Sequence, residues 1–119
     1  MSDEKEVLHF ESAEALREWF EANHDRSPGI WLKIAKKSSR VPAPSYEEAV
    51  NAGLCFGWID SLTRRFDDDL YLMTFTPRRA KSPWSKSNVA RVEALIESGQ
   101  MRPAGQAQID LAKKDGRWP

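Results

Sequence analysis

The sequence predicts an α+β fold, in which four helices pack on a small, mostly antiparallel sheet within one domain. Three observations support this prediction. The 119 residues have the length of a single domain, residues 1–119. Apolar residues recur with strand and helix periodicity in the order β-α-β-α-β-β-α-α. Two adjacent β-rich runs at about residues 58–76 surround a polar turn, which is typical of an antiparallel hairpin.

Four segments have the composition of strands. Residues 6–10 are a short strand candidate, and residues 29–36 alternate between an apolar face and a mixed face. The apolar face of the second segment consists of Ile30, Leu32 and Ile34. Residues 58–66 and 70–76 form the hairpin around the three aspartates at 67–69. Because the second and third strands are separated by a helical segment, helices are expected to cover one face of the sheet.

The first two helices have recognisable starts. Ser12 is placed to cap a helix that continues to about residue 23. Ser45 and Glu48 have the spacing of a capping box, which opens a second helix that ends near residues 53–57. The residues expected to face the core are Leu16, Trp19, Phe20, Tyr46, Ala49, Val50 and Leu54.

The last two helices have clear ends. Ser85 or Ser87 can cap a helix to about residue 98, and Gly99 is suited to end it in the left-handed conformation. Pro103 is tolerated in the first turn of a final helix that continues to about residue 114. The apolar stripes of these helices are expected to contain Val89, Val92, Leu95 and Ile96, followed by Ala104, Ala107 and Leu111.

Composition predicts a cytoplasmic protein without a membrane span. Charged residues make up 30% of the chain, the formal net charge is zero, and the mean hydropathy is −0.63. No apolar run approaches the ~18 residues that a spanning helix needs. The first ten residues are acidic, whereas a signal peptide begins with basic residues.

The sequence lacks the residue patterns of common cofactor, metal and triad chemistry. Cys55 is the single cysteine, so an internal disulfide and a cysteine metal cluster are both excluded. His9 and His24 do not have zinc-ligand spacing, and glycine-rich phosphate motifs are absent. Between Leu54 and Phe56, Cys55 is expected to be a small buried hydrophobic residue. We therefore expect no cofactor, no metal and no catalytic residue.

Charge is strongly segregated along the chain despite the zero net value. Residues 1–25 contain eight acidic and two basic residues, whereas residues 26–44 contain five basic and no acidic residues. Residues 45–76 contain six acidic and two basic residues, and residues 77–119 contain nine basic and four acidic residues. Electrostatic fields act within a Debye length of ~8–10 Å, so two local basic surfaces are predicted. Mutual compensation between acidic and basic surfaces is the simpler alternative.

Several motifs resemble the YdeI/OmpD-associated family, also described as bacteriocin-protection proteins. They are SAEALREWFEANHDRSPGIWLKIAKK, EEAVNAGLCFGWIDS, YLMTFTPRRAKSPWSKSN and ARVEALIESGQMRPAGQAQIDLAKKDGRW, which together cover nearly the whole chain. The resemblance implies a bacterial protein without an established reaction, linked by name to bacteriocin or envelope-stress tolerance. Members of that family usually continue past GRWP into a basic helical region, whereas Pro119 is the last residue here. Any activity that needs that region is therefore expected to be missing.

The loop that follows the hairpin contains the strongest candidate binding site. Four basic residues without an intervening acid lie next to a tryptophan, just before a predicted helix start. A helix N-terminus stabilises an anion, and arginine binds oxyanions through two parallel hydrogen bonds. If strand alternation places Trp58 and Asp60 on one face, both could line the same cleft. The predicted ligand-binding residues are Arg78, Arg79, Trp84, Ser85, Lys86, Asn88, Trp58 and Asp60.

A purely structural reading of these residues is also open. The arginines could pair with Asp60, Asp67 or Glu47, Trp84 could simply pack, and Trp58 could belong to the core.

We expect a non-catalytic binding module whose partner is an anionic small molecule or an acidic protein segment. One alternative is nucleic-acid binding through the basic segments 26–44 and 77–91, with Trp31 and Trp84 as stacking residues. The chain's pI of about 6.7 weakens this alternative, since nucleic-acid-binding domains are usually basic. A second alternative is a small enzyme that uses Asp60 with Arg78 and Arg79 as acid–base and oxyanion partners.

Overall fold

The structure, a computed structural model, describes residues 5–79 and 81–119. Its elements in chain order are β1 (Glu6–Leu8), α1 (Ala13–Asn23), β2 (Ile30–Ala35), α2 (Tyr46–Cys55), β3 (Trp58–Arg65), β4 (Leu70–Pro77), α3 (Lys86–Glu97) and α4 (Pro103–Lys114). This order is the one that the apolar periodicity predicts. The first strand is shorter than predicted, since it ends at Leu8 instead of residue 10.

The four strands form one mixed sheet in the spatial order β1-β2-β4-β3. β1 runs parallel to β2, whereas the β2–β4 and β3–β4 pairs are antiparallel. The predicted α+β class and the hairpin of β3 and β4 are therefore confirmed. A shift in register between Asp60 and Thr63 bends β3 away from a regular ladder.

One face of the sheet forms the core with the helices. The register of β2 with β4 places the predicted apolar face of β2 beside Met73 and Phe75. The largest side chains that are fully buried are Trp58, Phe20, Phe75, Leu16, Ile30, Leu32, Ile34, Ile109 and Val92. Burial of these aromatic and branched side chains is the main stabilising contribution in the domain.

α1 closes the core next to the start of β3. The hydroxyl of Ser12 accepts a hydrogen bond from the backbone N–H of Ala15, as the predicted cap requires. Leu16 and Phe20 are fully buried, and the Phe20 ring meets the Trp58 ring edge-on at 5.2 Å. α1 therefore packs directly on the first residue of β3.

α2 lies at the centre of the helical layer. Ser45 and Glu48 form the predicted capping box, in which each side chain accepts a hydrogen bond from the backbone N–H of the other residue. Ala49, Val50 and Leu54 are buried as predicted. Tyr46 was expected to face the core but is 38% exposed. It is the first residue of α2, one turn before the buried residues Ala49 and Val50.

α4 packs through a different set of residues from the predicted stripe. Gly105, Ile109 and Ala112 are buried, whereas Leu111 is exposed. The reason is a close approach to α2: a Cβ atom on Gly105 would overlap the carbonyl oxygens of Leu54 and Cys55. Because the glycine forms the contact, the buried face of α4 is centred on Gly105, Ile109 and Ala112 instead of the predicted stripe of Ala104, Ala107 and Leu111.

The other face of the sheet contains Trp31, which is only 3% exposed. The Arg64 guanidinium lies 4.3 Å from the centroid of its ring and covers it. Val7, which pairs with Trp31 in the register of β1 and β2, is exposed. Within the described ranges, the structure contains no helix with the length and apolar character needed to cross a membrane.

Candidate functional site

Arg78 lies at the end of the hairpin, and its side chain is buried. Its backbone N–H donates to the carbonyl of Gly57 at 2.9 Å, which fixes the chain just after β4. The side chain is 6% exposed, and its guanidinium lies 3.7 Å from the centroid of the Trp84 ring. Nη1 donates to the carbonyl of Pro83 at 3.1 Å. The loop that contains Trp84 therefore folds back over the arginine.

Two further nitrogens of Arg78 have no hydrogen-bond partner. Nε and Nη2 are both buried, and the described residues provide neither of them with an acceptor. Burial lowers the pKa of Arg78 to about 10, an effect that the charge of Arg117 increases and the charge of Asp60 opposes. The guanidinium is therefore still charged at neutral pH. A buried charge without a carboxylate partner is costly, so this arrangement needs an explanation.

Arg117 from the C-terminal turn brings a second guanidinium to the same place. Its Nε donates to both carboxylate oxygens of Asp115, at 2.8 and 2.9 Å, and its Nη1 donates to the carbonyl of Ser82 at 2.6 Å. Nη2 is buried and has no acceptor among the described residues. We call Arg78 and Arg117 the arginine pair. Arg117 is not among the ligand-binding residues that the sequence predicts, although its position directly before Trp118 repeats the arginine–tryptophan combination of the loop.

Aromatic rings and further cations surround the arginine pair. The Trp84 and Trp118 rings lie 5.1 Å apart, and the Lys113 ammonium lies 5.1 Å from the Trp118 centroid. A hollow of about 320 Å³ beside Arg117 is lined by Lys81, Asp115 and Arg117 itself. The site is therefore a positively charged, aromatic-walled corner with one carboxylate that is already engaged.

The other predicted residues of the loop have different roles. Ser85 caps α3, where its hydroxyl accepts from the backbone N–H of Asn88. The side-chain oxygen of Asn88 accepts from Arg91 at 3.1 Å, so this group is engaged within α3. Arg79 and Lys86 are exposed. Their charges contribute to the local field, but the structure does not bring them into contact with the arginine pair.

Trp58 and Asp60 are separated from the arginine pair. Trp58 is 1% exposed, and its indole N–H donates to the carbonyl of His24 at 3.2 Å, so its ring is part of the core and cannot meet a ligand. The physical reason is that α1 packs on the start of β3. Asp60 is half-buried, and its carboxylate forms no hydrogen bond or ion pair with residues 5–79 or 81–119. Its charge opposes the lowering of the Arg78 pKa and contributes to the raised pKa of Arg91.

The carboxylates considered as partners for the loop arginines are engaged elsewhere. Glu47 accepts two hydrogen bonds from Arg91, at 3.1 and 2.8 Å, which lower its pKa. Asp67 accepts from the backbone N–H groups of Asp69 and Leu70 within the hairpin turn. Ion pairing therefore does not explain the burial of Arg78.

Cys55 lies in an environment that makes its thiol less reactive. The thiol is buried, burial raises its pKa, and Arg17 donates to its sulfur at 3.3 Å with a smaller, opposite effect. A raised pKa lowers the thiolate fraction, which is the nucleophilic form. Residues 5–79 and 81–119 contain no group of three or more His, Cys, Asp or Glu side chains that could hold a metal ion.

Comparison with known proteins identifies a family but no function. Residues 8–108 match the family described as Domain of unknown function (DUF8412). No curated protein matches the chain. No solved structure matches it.

Proposed function

The chain belongs to the DUF8412 family, and we propose a function for it. The domain is a non-catalytic module that binds an anionic small molecule at the arginine pair. The observation that supports this proposal is that three buried N–H-bearing nitrogens, from two neighbouring arginines, have no acceptor among the described residues. A phosphate or carboxylate group would supply the missing acceptors and the missing negative charge. Hydrogen bonds of this charge-assisted kind are among the strongest that proteins form.

The hollow beside Lys81 and Arg117 is the expected route of entry. Its volume of about 320 Å³ is at the lower end of the range for ligand pockets, which suits a small anion. The unpartnered nitrogens are covered by the surrounding chain, so the anion reaches them only when this corner opens. We therefore expect binding to change the environment of Ser82 and Trp84 as well as that of the arginines.

Titration with inorganic phosphate tests the proposal. We expect saturable shifts of the backbone amides around residues 78–84 and 115–118 in nuclear magnetic resonance spectra. Arg117→Gln removes one charged hydrogen bond and should weaken phosphate binding roughly 10- to 100-fold. Arg26→Gln is the matched control, because Arg26 is exposed and its guanidinium donates, within residues 5–79 and 81–119, only to the carbonyl of Ala22.

Three results would contradict the proposal. Wild-type protein could show no saturable shifts, or Arg117→Gln could bind phosphate as tightly as wild type. In the third case, a hexaglutamate peptide would bind at residues 78–84 while inorganic phosphate would not. That outcome would favour an acidic protein segment as the partner instead of a small molecule.

Nucleic acid is the competing partner that the basic segments 26–44 and 77–91 suggested. The two tryptophans proposed to stack on bases are less accessible than this alternative requires, because Arg64 covers Trp31 and Arg78 covers Trp84. A mobility shift with single-stranded DNA or RNA that decreases steeply with salt would support it over the small anion. The enzyme alternative has less support, since the Asp60 carboxylate forms no hydrogen bond or ion pair with the described residues, Arg78 and Arg79 included.

The resemblance to YdeI/OmpD-associated proteins adds a cellular proposal. DUF8412 carries no functional description, so the link to bacteriocin or envelope-stress tolerance stays a proposal. It places the domain in the bacterial cytoplasm and makes anion binding a requirement for tolerance. A strain that expresses Arg117→Gln should then be as sensitive as a strain without the protein, whereas Arg26→Gln should restore tolerance.

A further inference from the structure

A second concavity lies where α2 begins, beside the end of β2 and the start of β4, the two central strands of the sheet. Its volume is about 500 Å³, which is within the range of small-molecule pockets. It is lined by Ala35, Lys36, Lys37, Ser45, Tyr46, Glu47 and Tyr71. These residues come from three elements and one loop, so the fold as a whole forms this pocket.

An adjacent hollow extends this pocket along β3. Its volume is about 390 Å³, and it is lined by Lys36, Thr63, Arg64, Arg65 and Tyr71. Lys36 and Tyr71 line both spaces, so the two hollows share a wall. We call them together the tyrosine trough. Its extended form suits a ligand with two chemically different ends.

Aromatic surface lies on one side of the trough. Tyr46 is 38% exposed, and the Arg91 guanidinium lies 5.7 Å from its ring centroid. Tyr71 is half-buried, and its phenol, like that of Tyr46, has no hydrogen-bond partner among residues 5–79 and 81–119. Burial raises the pKa of Tyr71, and the nearby Tyr46 and Asp60 raise it further, so the phenol is neutral and can donate a hydrogen bond.

The charge of the trough is positive. Lys37 and Arg65 are exposed, and their side chains form no ion pair or hydrogen bond with the described residues. Lys36 lines both hollows and donates to the carbonyl of Asp67 at 2.7 Å. The one acidic residue that lines the 500 Å³ pocket, Glu47, is ion-paired with Arg91, whose guanidinium donates two hydrogen bonds to it and offsets its charge. A negatively charged group would therefore be attracted to the lysine and arginine side of the trough.

We propose that the tyrosine trough binds a small molecule that joins a flat heteroaromatic ring to a phosphate, as a mononucleotide does. The ring stacks on Tyr46, the Tyr71 hydroxyl donates to a polar atom of the ligand, and the phosphate lies near Lys37 and Arg65. Stacking on a tyrosine accepts any base, whereas the phosphate fixes the direction in which the ligand lies. This site is separate from the arginine pair and does not depend on it.

Titration with adenosine monophosphate, adenosine and inorganic phosphate tests this assignment. We expect adenosine monophosphate to shift the amides of residues 35–37, 46, 65 and 71 saturably, and each of the two fragments to bind at least about tenfold more weakly. Tyr46→Ala should weaken binding at least about fivefold, since base–aromatic stacking is lost. The double variant Lys37→Gln/Arg65→Gln should weaken it about tenfold.

Two controls separate this site from the arginine pair. Lys114→Gln removes an exposed charge from the end of α4, which does not line the trough, and should leave the affinity unchanged. Arg117→Gln should weaken phosphate binding at residues 78–84 roughly 10- to 100-fold while leaving adenosine monophosphate shifts in the trough intact. The proposal is overturned if adenosine monophosphate causes no shifts in the trough. It is also overturned if Tyr46→Ala binds as wild type does, or if phosphate alone shifts the trough with equal affinity.

Discussion

Replacing Arg78 by methionine tests what the buried guanidinium contributes to the fold. A pKa lowered to about 10 corresponds to roughly 3 kcal/mol against the charged form in the folded protein. The stacking on Trp84 returns roughly 2 kcal/mol and the charged hydrogen bond to Pro83 roughly 1.5 kcal/mol. These contributions nearly cancel. Methionine keeps the length and the contact with the Trp84 ring, so we expect Arg78→Met to change the free energy of unfolding by less than about 1 kcal/mol.

Urea denaturation followed by tryptophan fluorescence measures this change, and a phosphate series measures what the substitution does to function. Phosphate should raise the unfolding free energy of wild type, because a ligand that binds only the folded state stabilises it. Arg78→Met should show no such increase. The penalty on Arg78 is fully present below about pH 10 and is relieved only as the pH rises through that value, so the stability difference should be constant between about pH 7 and pH 9.

A large loss of stability would refute this reasoning. Removing one member of a satisfied buried ion pair typically costs about 3–5 kcal/mol. If Arg78→Met lost that much, the guanidinium would be serving the fold, and the unpartnered nitrogens would not indicate a ligand. The combination that we predict, near-neutral stability with lost phosphate binding, is expected only of a residue retained for recognition.

Three further predictions concern the scaffold. Gly105→Ala should destabilise the domain by about 1–3 kcal/mol in urea denaturation, because the Cβ of alanine would overlap carbonyl oxygens of α2. Alanine favours helices more than glycine does, so a stabilised variant would show that α4 does not approach α2 this closely. The pKa of Asp67 is lowered by the N–H groups of Leu70 and Asp69, so its contribution is present above about pH 4 and lost as the pH falls through the lowered pKa. Asp67→Asn should therefore make the loss of stability at acid pH, followed by circular dichroism, less steep. If stability falls with pH in the variant as it does in wild type, the Asp67 carboxylate does not stabilise the hairpin turn. Cys55 should react with a thiol reagent much more slowly in native than in unfolded protein, and equal rates would contradict its burial.

Local sequence signals predicted the elements because each signal acts within a few residues. Ser12, Ser45 and Ser85 accept hydrogen bonds from backbone N–H groups three residues later, and the alternation of β2 sorts one apolar face into the core. Gly99 and Gly116 have φ values of +81° and +84°, as helix ends with glycine require. These interactions do not depend on the rest of the fold, so one sequence is enough to predict them.

Which residues meet in the candidate site depends on contacts between segments that are distant in sequence. The spacing of apolar residues along the chain carries no information about such contacts. Arg78 and Trp84 were predicted from their loop, but the partner guanidinium of Arg117 comes from the C-terminal turn. Trp58 was expected in the site, and its place in the core follows from the packing of α1. Likewise, the exposed position of Tyr46 and the sharing of Tyr71 between two hollows result from how α2 meets the sheet.

The most direct measurement is the nuclear magnetic resonance signal of the Arg78 Nε–H group, with the Trp84 indole N–H as a second probe. Both groups are buried and lack an acceptor in the described part of the chain. We predict that inorganic phosphate shifts both signals saturably, with one affinity, and that Arg117→Gln lowers this affinity roughly 10- to 100-fold. Signals that stay unchanged at phosphate concentrations that saturate the surface lysines would contradict the account, because the arginine pair would then be closed to anions.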